Sequence, residues 1–456
     1  MKKRILLALL VIAIVGLSFG CFRSREGDTG PIALTVYGLD DSDVFEPMIT
    51  EYKDINSVVT IKYKKFTDPT AFENLLVNEI AEGEGPDLFY INNTWLPRHS
   101  KKLVPMVSAN FTPQNYAETF VNVAANDFIQ PDPADGVKKI YSMPLYVDTL
   151  ALYYNKDIFE QKIPQRGKPA TNWEIFKEDA ALIRQQSAGG KLERGAIALG
   201  RADNIKLSTD ILYNLFLQAG SKFYDDEFKS VQLGSQAQTA FDTYLSYAAN
   251  SEKNFSWNTE LVAPNQPMGE VEAFLAGKVA SVLGYSDLYN HLETDLKNVA
   301  ARVGSSIAMK NIAVAPVPQM SAKEADYKAW ANYYGLAVSR NSKNPAAAWK
   351  FIQFATSKKS AQLYHQKTHR PTARRDLIED QKKEPIVDVF VSQLGYAGSF
   401  RLFSSQKFAE YLTDAVTAAN GGQNSREALS QAQAKMNDVM KSEAPNGMYP
   451  KPKVVK

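Results

Sequence analysis

The first ordered pattern is a strand-like run, Ile32-Ala-Leu-Thr-Val-Tyr37, ended by Gly38. Val44, Phe45, Met48, Ile49 and Tyr52 then recur at intervals of three and four, which predicts one buried face of a helix. Val58 to Tyr63 is β-rich, and Phe72, Leu75, Leu76 and Ile80 give a second helical face. Gly83-Glu-Gly-Pro86 breaks it, and Asp87-Leu-Phe-Tyr-Ile91 resumes strand. Strand, helix, strand, helix, strand predicts an α/β fold with a parallel sheet, its ligand contacts at the carboxyl ends of the strands. Further along, Val137 to Ser142 and Thr149 to Tyr154 read as strands, and Thr171-Asn-Trp-Glu174 has the form of a helix start. Helices are expected over 211–219, 237–249 and 270–276, and strands over 279–283, 312–317 and 334–338. Asn344-Pro345 opens a helix carrying Ala348, Phe351, Ile352 and Ala355; from Ile386 the pattern is mostly helical, and residues 445–456 form a loose tail.

The N-terminus changes the picture. Lys2-Lys3-Arg4 precedes an apolar run from Ile5 to Phe19, then Gly20 and Cys21. A basic start and a short apolar stretch describe an export signal over residues 1–20; an uncleaved anchor helix is the other reading, and both place the body outside the cytoplasm. Cys21, the one cysteine of the chain, resembles the lipidated first residue of a bacterial lipoprotein, although Ser18 and Phe19 stand where that pattern carries an aliphatic and a small residue. Residues 21–31 read as a polar linker from the membrane. Of 52 basic and 50 acidic residues, loss of Lys2, Lys3 and Arg4 leaves 49 against 50. A near-neutral body lacks the basic face that nucleic acid requires.

Motifs along the body carry a resemblance: Gly85-Pro-Asp-Leu-Phe89, the run Met143 to Asp157, Thr171-Asn-Trp-Glu174, Phe274-Leu-Ala-Gly-Lys-Val-Ala280, Gly335-Leu-Ala-Val-Ser339, and Asn344-Pro-Ala-Ala-Ala-Trp-Lys-Phe351. Their order resembles the extracellular solute-binding proteins of family 1, the carbohydrate-leaning receptors of ABC importers. The resemblance implies a type II periplasmic-binding-protein-like fold, two parallel-sheet lobes joined by three crossings near Tyr146–Asp148, Asn332–Tyr334 and Pro371–Arg374. Lobe 1 would hold 32–147 and 334–373, and lobe 2 would hold 148–333 and 374–444. It also implies hinge closure on a solute, delivery to permease subunits, and a monomer tethered to the membrane through lipid on Cys21.

A sugar offers hydroxyl edges and weakly apolar faces, so its site needs flat aromatics and Asp, Asn, Arg or Ser. Asn93 and Trp95 follow the strand that ends at Ile91, and Asp40 and Asp41 follow the first strand; helix capping is an equal reading of the two aspartates. Trp257 and Trp330 sit in loop-like segments, whereas Trp173 and Trp349 read as packing. On the resemblance, Tyr146, Asp148 and Tyr333 lie on crossings, Tyr285-Ser286 matches an aromatic contact from the second lobe, and Arg370 precedes the third crossing. No cofactor or metal is expected. His365 and His369 are four apart, but Gln366 replaces the glutamate of the zinc-protease signature. A secreted glycoside-active enzyme and the ligand-binding subunit of a membrane sensor are the alternatives.

Overall fold

The computed structural model describes residues 30–107, 110–132, 135–259, 261, 268–304 and 306–448. The signal segment, Cys21, nearly all of the linker and residues 449–456 of the tail lie outside the described residues. Eight strands carry the two main sheets: β1 (Ile32–Gly38), β2 (Val59–Lys65), β3 (Leu88–Asn92), β4 (Met143–Pro144), β5 (Ala151–Asn155), β6 (Ser281–Gly284), β7 (Ile312–Pro316) and β8 (Tyr334–Val338). The first sheet runs β2-β1-β3-β8-β4 and the second β6-β5-β7.

The βαβ reading of the N-terminal region holds at residue level. Helix α1 (Ser42–Ile55) buries Val44, Phe45, Met48 and Tyr52, and α2 (Pro69–Ala81) buries Phe72, Leu76 and Ile80. Asp68 fixes the start of α2, because its Oδ1 accepts from the backbone N–H groups of Thr70 and Ala71 while Pro69 supplies the first turn. β1 pairs in parallel with both β2 and β3. β8 is antiparallel to β3, because it enters the sheet after the chain returns from the second core.

The expectation of two parallel-sheet lobes holds for β1, β2 and β3; β8 runs antiparallel to β3 and β4, and the second sheet departs from it throughout. There β5 lies between β6 and β7 and runs antiparallel to both. Its direction is set where it leaves the first core, while β6 and β7 arrive from within the second.

Each sheet anchors its own core. The first gathers Leu34, Phe45, Leu88, Tyr90, Tyr116, Phe128, Tyr333 and Phe351. The second gathers Tyr153, Phe159, Trp173, Phe216, Phe241, Trp257, Phe274 and Phe408. Each fully buried large apolar side chain stabilises its core by about 1.5–3 kcal/mol. In chain order the further helices used below are α3 (Trp173–Ile183), α4 (Ser208–Gln218), α5 (Asp287–Val303), α6 (Pro345–Ala355), α7 (Lys358–Thr368), α8 (Val387–Gln393), α9 (Ser405–Asn420) and α10 (Ser425–Glu443). Helix α5 was not legible from periodicity: only Leu292, Leu296 and Val299 of its 17 residues are buried. No helix among the described residues is long and apolar enough to cross a membrane.

Close approach at Gly195 ties the second core together. Its N–H donates to Lys278 O and its carbonyl accepts from Ala280 N, both at 2.9 Å. A Cβ there would sit 2.0 Å from the carbonyl oxygen of Ser256, whereas one at Gly189 would meet only Ser187 Oγ at 3.9 Å. Gly195→Ala should therefore lower unfolding free energy by about 1–3 kcal/mol through overpacking, and Gly189→Ala should leave it within about 0.5 kcal/mol. Denaturant titration of both variants checks this.

Candidate functional site

The chain passes between the cores at three places, and these segments bond to one another. Val147 belongs to the first core and Leu150 to the second; Trp330 belongs to the second and Ala331 to the first. The Val147 N–H donates to Pro371 O at 3.2 Å, the Asn332 N–H to Asp148 O at 3.1 Å, and the Leu150 N–H to Trp330 O at 3.1 Å. Helix α8, rather than Pro371–Arg374, makes the last passage, with Val387, Val391 and Leu394 in the first core and Phe390 in the second, and its Gln393 Nε2 donates to Thr149 Oγ1 at 3.0 Å and to Leu150 O at 2.9 Å on the first crossing.

A cavity of about 1390 Å³ opens beside these segments. Asp40, just after β1, lines it but has little acceptor capacity left. Its Oδ2 accepts from Tyr90 OH at 2.6 Å and Tyr364 OH at 2.7 Å, and its Oδ1 from Arg370 Nη1 at 2.7 Å. Arg370 is thereby fixed over the Tyr146 ring, 4.5 Å from its centroid, and Tyr146 stacks on Tyr364 at 5.9 Å and 12°. Asp41 is exposed and pairs with Lys65.

Asp148 faces the same cavity from the first crossing. Its Oδ2 accepts from Ser286 Oγ at 2.6 Å and Ser286 N at 3.0 Å, and its Oδ1 from Thr149 N at 2.9 Å. Burial first, and the nearby Asp287 carboxylate second, push its pKa up to about 7. Beside it, Tyr285 OH donates to Asp210 Oδ2 at 2.6 Å, Asn332 Nδ2 donates to the same oxygen at 3.2 Å, and Asn92 Nδ2 donates to Asn332 Oδ1 at 2.7 Å. Asp210 is likewise raised by desolvation.

Asn332 and Tyr334 also line a second, smaller cavity of about 410 Å³, walled by Trp95, Tyr213 and Trp330 with Glu73, Asp210 and Gln406. The Trp95 ring stands perpendicular to Tyr334 at 5.7 Å, and Tyr213 lies 4.9 Å from Trp330. Among the described residues Tyr213 OH and Trp330 Nε1 are buried without a hydrogen-bond partner.

Of the residues singled out in the sequence, Asp40, Asp41, Tyr146, Asp148, Tyr285, Ser286 and Arg370 line the large cavity, and Trp95 and Trp330 the small one. Asn93, Tyr333 and Trp257 line neither. Trp257 is fully buried in the second core, its Nε1 donating to Asn204 Oδ1 at 2.9 Å. Asn93 Nδ2 and Tyr333 OH both donate to the buried carboxylate of Asp127, at 3.0 and 2.7 Å. The reason is strand alternation: successive residues point to opposite faces, so Asn92, Asn332 and Tyr334 take the cavity and Asn93 and Tyr333 the interior. A period-two reading outward from β3 and β8 would have chosen the right neighbours. Asp210, Asp287 and Glu73 sit in helices and carried no such signal. His365 Nδ1 donates to Arg370 O and His365 Nε2 lies 2.8 Å from Glu384.

The raised pKa of Asp148 gives a signed prediction. The folded state holds this proton to about pH 7, while the unfolded carboxyl releases it near pH 4, so the group's stabilising contribution is present at low pH and is lost as pH rises through that window. Stability of Asp148→Asn minus that of wild type should rise between pH 4.5 and 7.5, by up to about 1.4 kcal/mol per unit. Denaturant titrations across that range check it; a constant difference contradicts it.

Residues 40–362 match the bacterial extracellular solute-binding protein family. A binding protein of Brucella abortus is 22% identical over 439 residues, covering 94% of this chain and 95% of its own. The maltodextrin-binding protein of Bacillus subtilis is 25% identical over 259 residues, 54% of each chain. The structure of a sugar-binding protein from Xanthomonas citri superposes with a TM-score of 0.72 at 18% identity, covering 90% of this chain and 98% of that one. With two lobes joined by three mutually bonded crossings and a matching family span, this chain belongs to the bacterial extracellular solute-binding proteins.

Proposed function

We propose that the protein is the exported, membrane-tethered receptor of an ABC importer, that it captures a carbohydrate between its lobes, and that it passes the solute to a permease without altering it. The observation that carries this reading is the composition of the cavity wall. Rings of Tyr146, Tyr285 and Tyr334 line the large cavity with Arg370, Asn332 and Asp287, and Trp95 and Tyr334 line the small one with Asn332 and Asp210. Flat aromatics suit sugar ring faces, and the interleaved carboxylate, amide and guanidinium groups suit hydroxyls. Sugar-binding names among the relatives favour the same solute class.

Two features favour binding over glycoside cleavage. Asp40 is engaged by three donors and so is Asp148, which leaves neither carboxylate poised as a nucleophile. In this reading Asp40 positions Arg370, and Asp148 positions Tyr285 and Ser286, rather than touching solute. Solute would shift the population of lobe arrangements toward the closed one. The basic N-terminus, apolar run and Cys21 supply the export route and the tether.

A melting-temperature screen against mono- and oligosaccharides, polyols, polyol phosphates and peptides tests the solute class. A sugar at about 100 times its dissociation constant should add roughly 2.7 kcal/mol; a peptide or polyol phosphate hit with no sugar hit contradicts the reading. For the sugar found, Trp95→Ala and Tyr285→Ala should each weaken binding by about tenfold or more, as truncation of a buried aromatic anchor does. Circular dichroism should show both variants folded, and unchanged affinity in both would remove the site assignment.

A further inference from the structure

Beyond the smaller cavity, side chains from the two cores meet directly. The short helical turn Leu96–His99 follows β3, and its Leu96 belongs to the first core. Helices α9 and α10 pack in the second core through Phe408, Leu412, Met436 and Met440. Between them Arg98 spreads its guanidinium fork, donating from Nη1 to Ser404 Oγ at 3.1 Å and from Nη2 to Glu443 Oε2 at 3.0 Å. The other oxygen of Glu443 accepts from Lys407 Nζ at 2.7 Å. A parallel contact joins Gln406 Nε2 to Glu73 Oε2 at 3.0 Å.

Glu73 is held in place from behind. Glu73 Oε1 accepts from His99 Nε2 at 2.8 Å, and His99 Nδ1 accepts from Lys102 Nζ at 3.0 Å. That order of donors fixes the neutral, Nε2-protonated tautomer, and burial, which lowers the His99 pKa, favours the same form. The Trp95 ring stands edge-on to His99 at 6.3 Å, so the cavity wall and the bridge share one scaffold.

An isolated surface ion pair contributes little. Here one guanidinium meets two acceptors and one carboxylate meets two cations, with side chains only 35% and 28% exposed for Arg98 and Glu443. A connected, part-desolvated cluster is the arrangement in which such pairs count. Its partners belong to different lobes, so rotation about the crossings would separate them.

We propose that Arg98–Glu443–Ser404 and Glu73–Gln406 form an interlobe latch that holds the lobes in this relative orientation before any solute arrives, and so sets how much of the solute's binding energy goes into closure. The proposal does not depend on the solute being a sugar. Such a latch acts on apparent affinity through the fraction of protein in the binding-competent arrangement.

The test needs no solute. Spin labels are placed at Ile55 and Leu182, exposed side chains of α1 and α3, in the full chain carrying Cys21→Ser. Electron–electron double resonance then reads the interlobe distance distribution. Arg98→Ala with Glu443→Ala should shift weight severalfold toward a different separation, and Arg98→Lys, which keeps the cation but loses the fork, should shift it less. Gln406→Ala should give a smaller shift in the same direction, and 1 M salt should reproduce part of the effect in wild type by screening. Identical distributions in wild type at both salt concentrations and in the Arg98/Glu443 double variant would overturn the latch. A screen that finds no sugar would leave this result unaffected.

Discussion

Buried carboxylates at the crossings set the terms for everything around them. Asp40, Asp127 and Asp148 are each nearly sealed from solvent, and an ionised group in that position must collect donors or give up its charge. Each collects three donors, at least one of them from a segment far away in the chain. Asp127 takes Asn93, Tyr333 and Ser399, Asp148 takes Thr149 and both donors of Ser286, and Asp40 takes Tyr90, Tyr364 and Arg370. Satisfying these charges binds segments far apart in the chain into one junction, and the cleft is the space the junction leaves open.

The same requirement explains why the cleft wall is aromatic. A tyrosine brings a donor on a flat, largely apolar ring, so it can satisfy a carboxylate at one end and present its face at the other. Tyr285 does this with Asp210 and Tyr90 with Asp40, while Tyr364, also bonded to Asp40, stacks behind Tyr146. Arg370, held against Asp40 and laid on Tyr146, is the cationic counterpart. Asp127 and Asp148, with pKa values raised to about 6 and about 7, show that burial outweighs even three neutral hydrogen bonds.

Sequence patterns reached the fold through the elements with strong periodicity. The apolar faces of α1 and α2, the strand runs at β1 and β3, and the Thr171-Asn-Trp-Glu174 helix start all translate into observed elements, because burial and period coincide there. Helix α5 escaped because its few buried positions are diluted by polar residues, and the antiparallel second sheet escaped because strand direction is set by connections, which local pattern does not encode. For the site, the right segments were legible and the right faces were not. Asn93 and Tyr333 stand one residue away from the cavity-lining Asn92 and Tyr334, a one-residue slip that turns a strand side chain through to the other face. Trp257 misled because an indole in an irregular segment gives no hint that Asn204 waits in the core to pair its N–H. Glu73, Asp210 and Asp287 became visible only when helices distant in sequence met across the cleft.

The central claim is that solute is held intact in the cleft between the lobes. A difference electron-density map from crystals grown with the sugar found in the screen addresses it most directly. The expected density is one uncleaved sugar against Arg370, Tyr285 and Asn332, with at least one ring stacked on an aromatic face. Density on an outer surface, or split products at Asp148, would contradict it.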